Sequence, residues 1–273
     1  MVTTVPKDPI VDALAEEWAR LDELLTGLDE TSWSAPTALP GWDVKAVAAH
    51  LIGTECMLLG QPAPDVTVDP AEYQHVRNDT GRINEVWVAS MAELAPVDVL
   101  TRFRDVTARR LKALRSTDQA TWDAEGVTPA GRDTYGRFMR IRTFDCWIHE
   151  QDIRDAVSRP GGDGGAAADA ALDEMEAALG YVVGKKASAP PGSRVTFELT
   201  GPAARTLHVE VGDRANVVAE LSGPPTVTLT MPAGVFARLA AGRGDPEALR
   251  QQVTIEGDAT LGEQIVTNFS YTM

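Results

Sequence analysis

The spacing of apolar residues changes about two-thirds of the way along the chain, and this change constrains the fold more than any other feature. Up to about residue 185 the large apolar residues recur at steps of three and four, which is typical of amphipathic helices. After Pro190-Pro191-Gly192 they alternate with polar residues, which is typical of β-strands. We therefore expect two domains, a helical one over residues 1–185 and a small α+β one over residues 190–273.

The helical part predicts a bundle. Its first helix carries an apolar stripe at steps of three and four: Ile10, Leu14, Trp18, Leu21, Leu25 and Leu28. Asp43 stands where a side chain can cap a helix, so a second helix is predicted from there to about Leu59. Further helices are predicted over about 80–94, 97–115 and 134–157, and an alanine-rich one over about 166–185. Long amphipathic helices joined by short or medium loops indicate a four-helix bundle.

The alternating part predicts a small sheet with helices. Strands are expected at about 195–199, 207–211, 215–221, 226–231 and 252–256. Pro232 suits the first turn of a helix over about 232–241, and a closing helix is expected over about 260–269. The predicted fold class is therefore a four-helix bundle followed by an α+β domain.

Charge and cysteine content exclude several classes of protein. The 273 residues include 25 Lys and Arg against 40 Asp and Glu, a net charge of −15. Such a chain repels phosphate, so we expect neither nucleic acid nor a membrane as partner, and self-repulsion favours a monomer. Cys56 and Cys146 make no disulfide framework. With no signal peptide and no apolar run of about 18–20 residues, a cytoplasmic protein is expected.

Three residues of the predicted bundle form a candidate metal site. Asp145 and His149 are spaced i, i+4, so their side chains project from one face of a helix. His50, on another predicted helix, would complete a set of two imidazoles and one carboxylate. Three ligands leave a coordination position open for water or substrate. The same spacing also arises in helices that bind no metal.

Neighbouring residues have two interpretations each. Asp152 lies one turn beyond His149 and either orients a ligand imidazole or pairs with an arginine. Arg142 either holds an anionic substrate group or forms a salt bridge with a helical carboxylate. Both cysteines are interpreted as core residues rather than nucleophiles. His75 and His208 receive no role.

Two segments carry a family resemblance. The segment from Trp33-Ser34-Ala35-Pro36 through Leu39-Pro40-Gly41-Trp42-Asp43-Val44 to Ala49-His50-Leu51 resembles the mycothiol-dependent maleylpyruvate isomerase family, and so does Arg142-Thr143-Phe144-Asp145-Cys146-Trp147-Ile148-His149-Glu150-Gln151-Asp152. That family belongs to the DinB-like metal-binding bundles of actinobacteria. The segment Val253-Thr254-Ile255-Glu256-Gly257-Asp258 resembles the sterol-carrier-like domain that follows the bundle in such proteins.

The resemblance implies a zinc ion held by His50, Asp145 and His149. The first-described isomerases have Glu where Asp145 stands, and Asp is one methylene shorter. Mycothiol would be the thiol cosubstrate, and its thiolate at zinc would attack an electrophilic small molecule. The reaction ends there in an S-transferase, the ending we expect, or continues to cis–trans isomerisation.

Two non-enzymatic interpretations remain open. The first is a lipid carrier, although a domain of about 80 residues has little room for a large apolar cavity beside a core. The second is a metal-responsive regulatory protein, although the sequence contains no DNA-binding motif and no basic patch.

Overall fold

Helices of the N-terminal unit bury their apolar faces in one core. A computed structural model of the chain describes residues 2–69, 73, 76 and 78–272. In chain order the helices are α1 (Lys7–Thr26), α2 (Val44–Leu58), α3 (Asp79–Ala89), α4 (Pro96–Ser116), α5 (Gln119–Trp122) and α6 (Tyr135–Ala156). Helices α1 and α2 each contact both α4 and α6, so these four form a closed bundle. The predicted four-helix bundle is confirmed.

Local signals explain where the bundle helices begin. Asp43 Oδ1 accepts the Ala46 N–H at 2.8 Å, as the capping pattern predicted, and Thr134 caps α6 by accepting the Arg137 N–H at 3.1 Å. The helix predicted over about 80–94 ends at Ala89. Among the described residues, no helix is both long enough and apolar enough to cross a membrane.

A short hairpin between α5 and α6 was absent from the prediction. Strand β1 (Glu125–Thr128) pairs antiparallel with β2 (Gly131–Thr134), which leads directly into α6. Asp133 of this hairpin accepts the backbone N–H of Thr3 at 2.6 Å and an N–H of Arg137 at 2.8 Å. The hairpin thereby ties the start of the chain to the start of α6.

A buried carboxyl pair joins α1 to α6. Glu17 of α1 and Glu150 of α6 are both fully buried. Burial first, and the charge of Glu150 second, raise the pKa of Glu17 to about 8, although Arg20 opposes the shift. Two guanidinium nitrogens of Arg154 lie 2.8 and 2.7 Å from Glu150 Oε1. At neutral pH Glu17 is therefore largely protonated inside the folded bundle.

The second unit is a five-stranded sheet with helices. Its strands are β3 (Arg194–Thr200), β4 (Arg205–Val211), β5 (Ala215–Val218), β6 (Val227–Pro232) and β7 (Thr254–Gly257). Their order is β5-β4-β3-β6-β7, with β3 and β6 parallel and the other neighbours antiparallel. The helices are α7 (Ala166–Glu176), α8 (Leu179–Tyr181), α9 (Ala233–Ala241), α10 (Pro246–Arg250) and α11 (Ala259–Thr267), and a π-helical turn, Val182–Lys186, follows α8. The predicted α+β class is confirmed.

The two faces of this sheet differ in polarity. On one face Phe197 packs edge-to-face with Phe236 of α9 and with Phe269, at ring centroid distances of 6.1 and 5.8 Å. The opposite face carries polar side chains, including Glu198 and His208. This alternation is why the strands are readable in the sequence.

The chain divides earlier than the sequence predicted. The two compact units are residues 1–162 and 163–273, whereas the prediction placed the first domain at 1–185 and the second at 190–273. The alanine-rich segment belongs with the sheet, because α7 contacts α9, α8 contacts β5, and Arg205 donates to Asp169 and Asp173 of α7. The corrected boundary lies in the glycine-rich segment Gly161-Gly162-Asp163-Gly164-Gly165.

Candidate metal centre

His50 lies on α2, whose N-terminus is held in place by several hydrogen bonds. The backbone N–H of Val44 donates a hydrogen bond of 3.1 Å to the Ala35 carbonyl, which closes the loop before α2, and Asp43 caps the helix. Gly41 takes a φ of +82° in this loop, a conformation that favours glycine. His50 follows nearly two turns into α2, where only 6% of the residue is exposed.

Helix α6 supplies the other two predicted ligands. His50 Nε2 lies 3.4 Å from Asp145 Oδ2, and His149 Nε2 lies 3.5 Å from Asp145 Oδ1. One donor atom from each of the three residues lies within 4.8 Å of the others. The structure thus brings together the three residues that spacing and resemblance proposed.

These separations fit a metal ion better than direct hydrogen bonds. Nitrogen-to-oxygen hydrogen bonds are usually about 2.7–3.2 Å long, so contacts of 3.4 and 3.5 Å are long for that role. Around a tetrahedral zinc with bonds of about 2.0–2.1 Å, two ligand atoms lie about 3.3 Å apart. Two imidazoles and a carboxylate are also a donor set that divalent transition metals accept. The residues present therefore fit a divalent metal ion.

Asp152 orients His149, one of the two roles that the sequence left open. Its Oδ2 lies 3.0 Å from Nδ1 of His149, and only 3% of Asp152 is exposed. Burial opposes protonation of His149, but Asp145 and Asp152 outweigh it and raise the pKa of this imidazole. The contact directs Nε2 toward Asp145, as outer carboxylates do for histidine ligands.

Arg142 is buried among carboxylates. It donates through Nε to Glu55 at 2.6 Å and through a terminal nitrogen to the Leu51 carbonyl at 3.2 Å, and it also forms an ion pair with Asp145. Burial opposes ionisation of Asp145, but Arg142 outweighs it and holds the pKa of this carboxyl well below its usual value. These contacts match the salt-bridge interpretation of Arg142 and keep Asp145 anionic.

Glu55 and Arg110 extend this network, and neither is among the candidate site residues predicted from the sequence. Arg110 of α4 donates to Glu55 at 2.8 Å, so one buried carboxylate bridges two buried guanidiniums. A signal for Arg110 existed: it continues the buried stripe of α4 at Val99, Phe103 and Val106. A charged residue at such a position needs a buried partner.

Trp42 covers the imidazoles from the loop before α2. Its ring centroid lies 5.2 Å from that of His50 and 6.5 Å from that of His149. Its indole N–H donates to Glu85 of α3 at 3.0 Å.

Burial, only partly offset by Asp145, lowers the pKa of His50, so the neutral imidazole that binds metal predominates at pH 7.

The remaining histidines and both cysteines lie outside this cluster. His75 falls outside the described residues, and His208 contacts Thr196 Oγ1 at 3.0 Å in the sheet. Cys56 and Cys146 are both buried, and burial raises the pKa of each thiol. Raised pKa values leave both thiols protonated and weakly nucleophilic.

Comparisons with known proteins match both units. A family model described as the mycothiol maleylpyruvate isomerase N-terminal domain matches residues 14–154, and one described as the MDMPI C-terminal domain matches residues 169–264. The crystal structure of a mycothiol-dependent maleylpyruvate isomerase is 20% identical with a TM-score of 0.58, covering 93% of this chain and 96% of that chain. A mutant of such an isomerase gives 19% and 0.57 with the same coverage. At these identities the likeness concerns the fold.

Curated relatives match over a shorter length. Two uncharacterized proteins of Mycobacterium tuberculosis, MT0041 (strain CDC 1551 / Oshkosh) and Rv0036c (strain ATCC 25618 / H37Rv), are each 25% identical over 152 residues. The match covers 55% of this chain and 56% of each relative, so the chain spans about half the length of the curated relatives it matches. The N-terminal family model, in contrast, matches more than half of the chain and includes all three residues of the cluster. On that match the chain belongs to the mycothiol maleylpyruvate isomerase family.

Proposed function

We propose that this chain catalyses the thiol-dependent cis–trans isomerisation of a maleylpyruvate-type substrate, with mycothiol as the thiol and zinc held by His50, Asp145 and His149. The convergence of these three side chains in a member of this family carries the proposal. From the sequence alone we expect an S-transferase. Family membership favours the isomerase, because the matching domain model and the similar solved structures both bear that activity in their descriptions.

A zinc ion at this cluster would act as a Lewis acid that lowers the pKa of a thiol toward neutrality. The protein's own part is to set the charge of His50 and Asp145 and the orientation of His149. Burial keeps His50 neutral, Arg142 keeps Asp145 ionised, and Asp152 fixes the orientation of His149. The raised thiol pKa values of the two buried cysteines support a thiol brought in from solution as the nucleophile.

The proposed reaction begins with addition of the thiolate to the cis double bond. The sulfur forms a bond to one alkene carbon, and the π electron pair moves onto the conjugated carbonyl. Rotation about the resulting single bond is followed by return of the electron pair, which reforms the double bond in the trans configuration and expels the thiolate. No thiol is consumed. An S-transferase acting on this alkene would share the addition but end with protonation of carbon and a stable thioether. With an alkyl bromide, the thiolate sulfur would form its bond to carbon as bromide leaves.

The test is turnover by the metal-loaded full-length protein given mycothiol and maleylpyruvate, followed by proton NMR. Trans product at constant thiol concentration is the expected result, and it should be lost in His149→Ala. The matched control is the double variant Cys56→Ala, Cys146→Ala, which should retain activity.

Other outcomes separate the alternatives. Accumulation of a thioether with maleylpyruvate or with a bromobimane-type electrophile would favour the S-transferase. Absence of both products, with metal bound, would contradict an enzymatic role and favour the metal-responsive protein.

A further inference from the structure

The two imidazoles of the cluster are held in different ways. His149 has a carboxylate of Asp152 at its Nδ1, which fixes the direction of Nε2. In His50 the corresponding Nδ1 is buried and has no hydrogen-bond partner within the part of the chain that the structure describes. Some other contact must therefore orient this ring, because a histidine side chain can otherwise rotate about its terminal torsion.

Trp42 makes that contact. Its indole lies 5.2 Å from the His50 ring, centroid to centroid, with an interplanar angle of 37°. The His50 ring also meets the His149 ring nearly edge-on at 4.9 Å. His50 therefore packs against two rings, which lie 6.5 Å from each other, and the second of these is itself fixed by Asp152. Offset and edge-on ring contacts of this kind are favourable and directional.

The indole is itself anchored at both ends. On the backbone side, the Trp42 carbonyl accepts two hydrogen bonds from Thr37, one from its backbone N–H at 3.1 Å and one from its hydroxyl at 2.8 Å. The backbone N–H of Trp42 donates to the Leu39 carbonyl at 3.1 Å. On the side-chain side, the indole N–H donates to Glu85 of α3, a residue only 4% exposed. A ring fixed at both ends can hold a neighbour in place.

We propose that Trp42, anchored by Glu85, is the positioning residue for His50, taking the part that Asp152 takes for His149. The inference rests on the metal site of the proposed function and deepens it by assigning α3 and the loop before α2 a role there. The structure thus contains one carboxylate-oriented and one indole-oriented histidine ligand.

The first test is zinc affinity, measured by competition with a chromophoric chelator. Trp42→Ala should weaken binding by about tenfold or more, the usual cost of losing an orienting contact of a metal ligand. Glu85→Ala should weaken it less, and Glu85→Gln, which keeps an acceptor oxygen for the indole N–H, should bind like the wild-type protein. Trp33→Phe, a change of a buried tryptophan in the 32–34 turn, is the matched control and should leave affinity unchanged.

A double-mutant cycle distinguishes positioning from general destabilisation. If Glu85 acts through Trp42, Glu85→Ala should weaken binding in the wild-type background and have no further effect beside Trp42→Ala. Cobalt(II) supplies the second readout, because its absorption bands report ligand geometry. The bands should shift in Trp42→Ala and shift less in Trp42→Phe, which keeps an aromatic ring beside His50 but cannot donate to Glu85.

Three results would overturn the inference. The first is a Trp42→Ala variant with wild-type zinc affinity and an unchanged cobalt spectrum. The second is a loss of zinc affinity on Glu85→Ala that is equally large with Trp42 and with Ala at that position. The third is equal zinc affinity in Glu85→Ala and Glu85→Gln. The last comparison applies even if Trp42→Ala does not fold. Failure of the wild-type protein to bind metal is a distinct outcome, which would overturn the proposed function together with this inference.

Discussion

Replacing Glu17 by Gln should remove a pH dependence from the stability of the bundle. Glu17 is fully buried between α1 and α6 beside Glu150, and its pKa is raised to about 8 by burial and by that neighbour. In the unfolded chain its pKa is near 4.5. Between these values the folded protein carries one more proton than the unfolded chain at this site. The free energy of unfolding therefore falls as pH rises from about 4.5 to about 8, and the contribution levels off above that.

The size of the effect follows from the two pKa values. Each pH unit between them is worth about 1.4 kcal/mol, so about 3 kcal/mol should be lost between about pH 5 and about pH 7.5. Gln has nearly the same shape and no charge to desolvate. The variant should match the wild-type protein near pH 5 and exceed its stability by up to about 3 kcal/mol near pH 7.5.

The assay is urea unfolding of the metal-free full-length protein across this pH range, in chelator, compared between variants. Contributions of the histidines are shared by the two proteins and cancel in the difference. Glu16→Gln is the matched control, because Glu16 pairs with the same Arg20 at 3.0 Å but is 46% exposed. A pH-independent difference between Glu17→Gln and the wild-type protein would refute the reasoning. So would a variant that is less stable at high pH, since Arg20 would then dominate Glu17.

Three further changes test the network around the site. Asp152→Asn should weaken zinc binding by about 10–100-fold, as measured by chelator competition, since it alters the contact that orients His149. Arg142→Leu should lower the free energy of unfolding by about 3–5 kcal/mol in urea titrations, because it leaves Glu55 buried with one partner fewer. Asp133→Ala should lower the thermal midpoint at neutral pH but less below about pH 4. The pKa of Asp133 is depressed, against the effect of burial, by its hydrogen bonds, so its contribution fades as the carboxylate is protonated.

The three residues of the cluster could be found from the sequence because their signal is local. Asp145 and His149 lie a turn apart on one helix, and the cap at Asp43 fixes where the helix of His50 begins. The next contacts in the network are distant in sequence. Glu55 and Arg142 are separated by 87 positions, and only the assembled bundle brings them together.

The helices and strands could be predicted where apolar residues recur with a clear period. The domain to which the alanine-rich helix α7 belongs was predicted wrongly, because its composition is ambiguous. An alanine-rich helix such as α7 packs against a bundle or a sheet equally well, so its membership could not be predicted from its own residues. Arg205, which binds Asp169 and Asp173 of α7, decides it in favour of the sheet. The hairpin of β1 and β2 could not be predicted, because each strand has only four residues. In β1 only Thr128 is buried, so the strand shows no clear alternation of apolar and polar side chains.

The most direct test of the central claim is the metal content of the full-length protein by elemental analysis. We predict about one divalent ion per chain, with zinc as the metal, in the wild-type protein. The same content is predicted for His208→Ala, whose histidine lies in the sheet beside Thr196. His50→Ala and His149→Ala should each lose the metal. Undiminished metal in both of these variants would show that the ion binds elsewhere, and absence of metal from the wild-type protein after reconstitution would contradict the account outright.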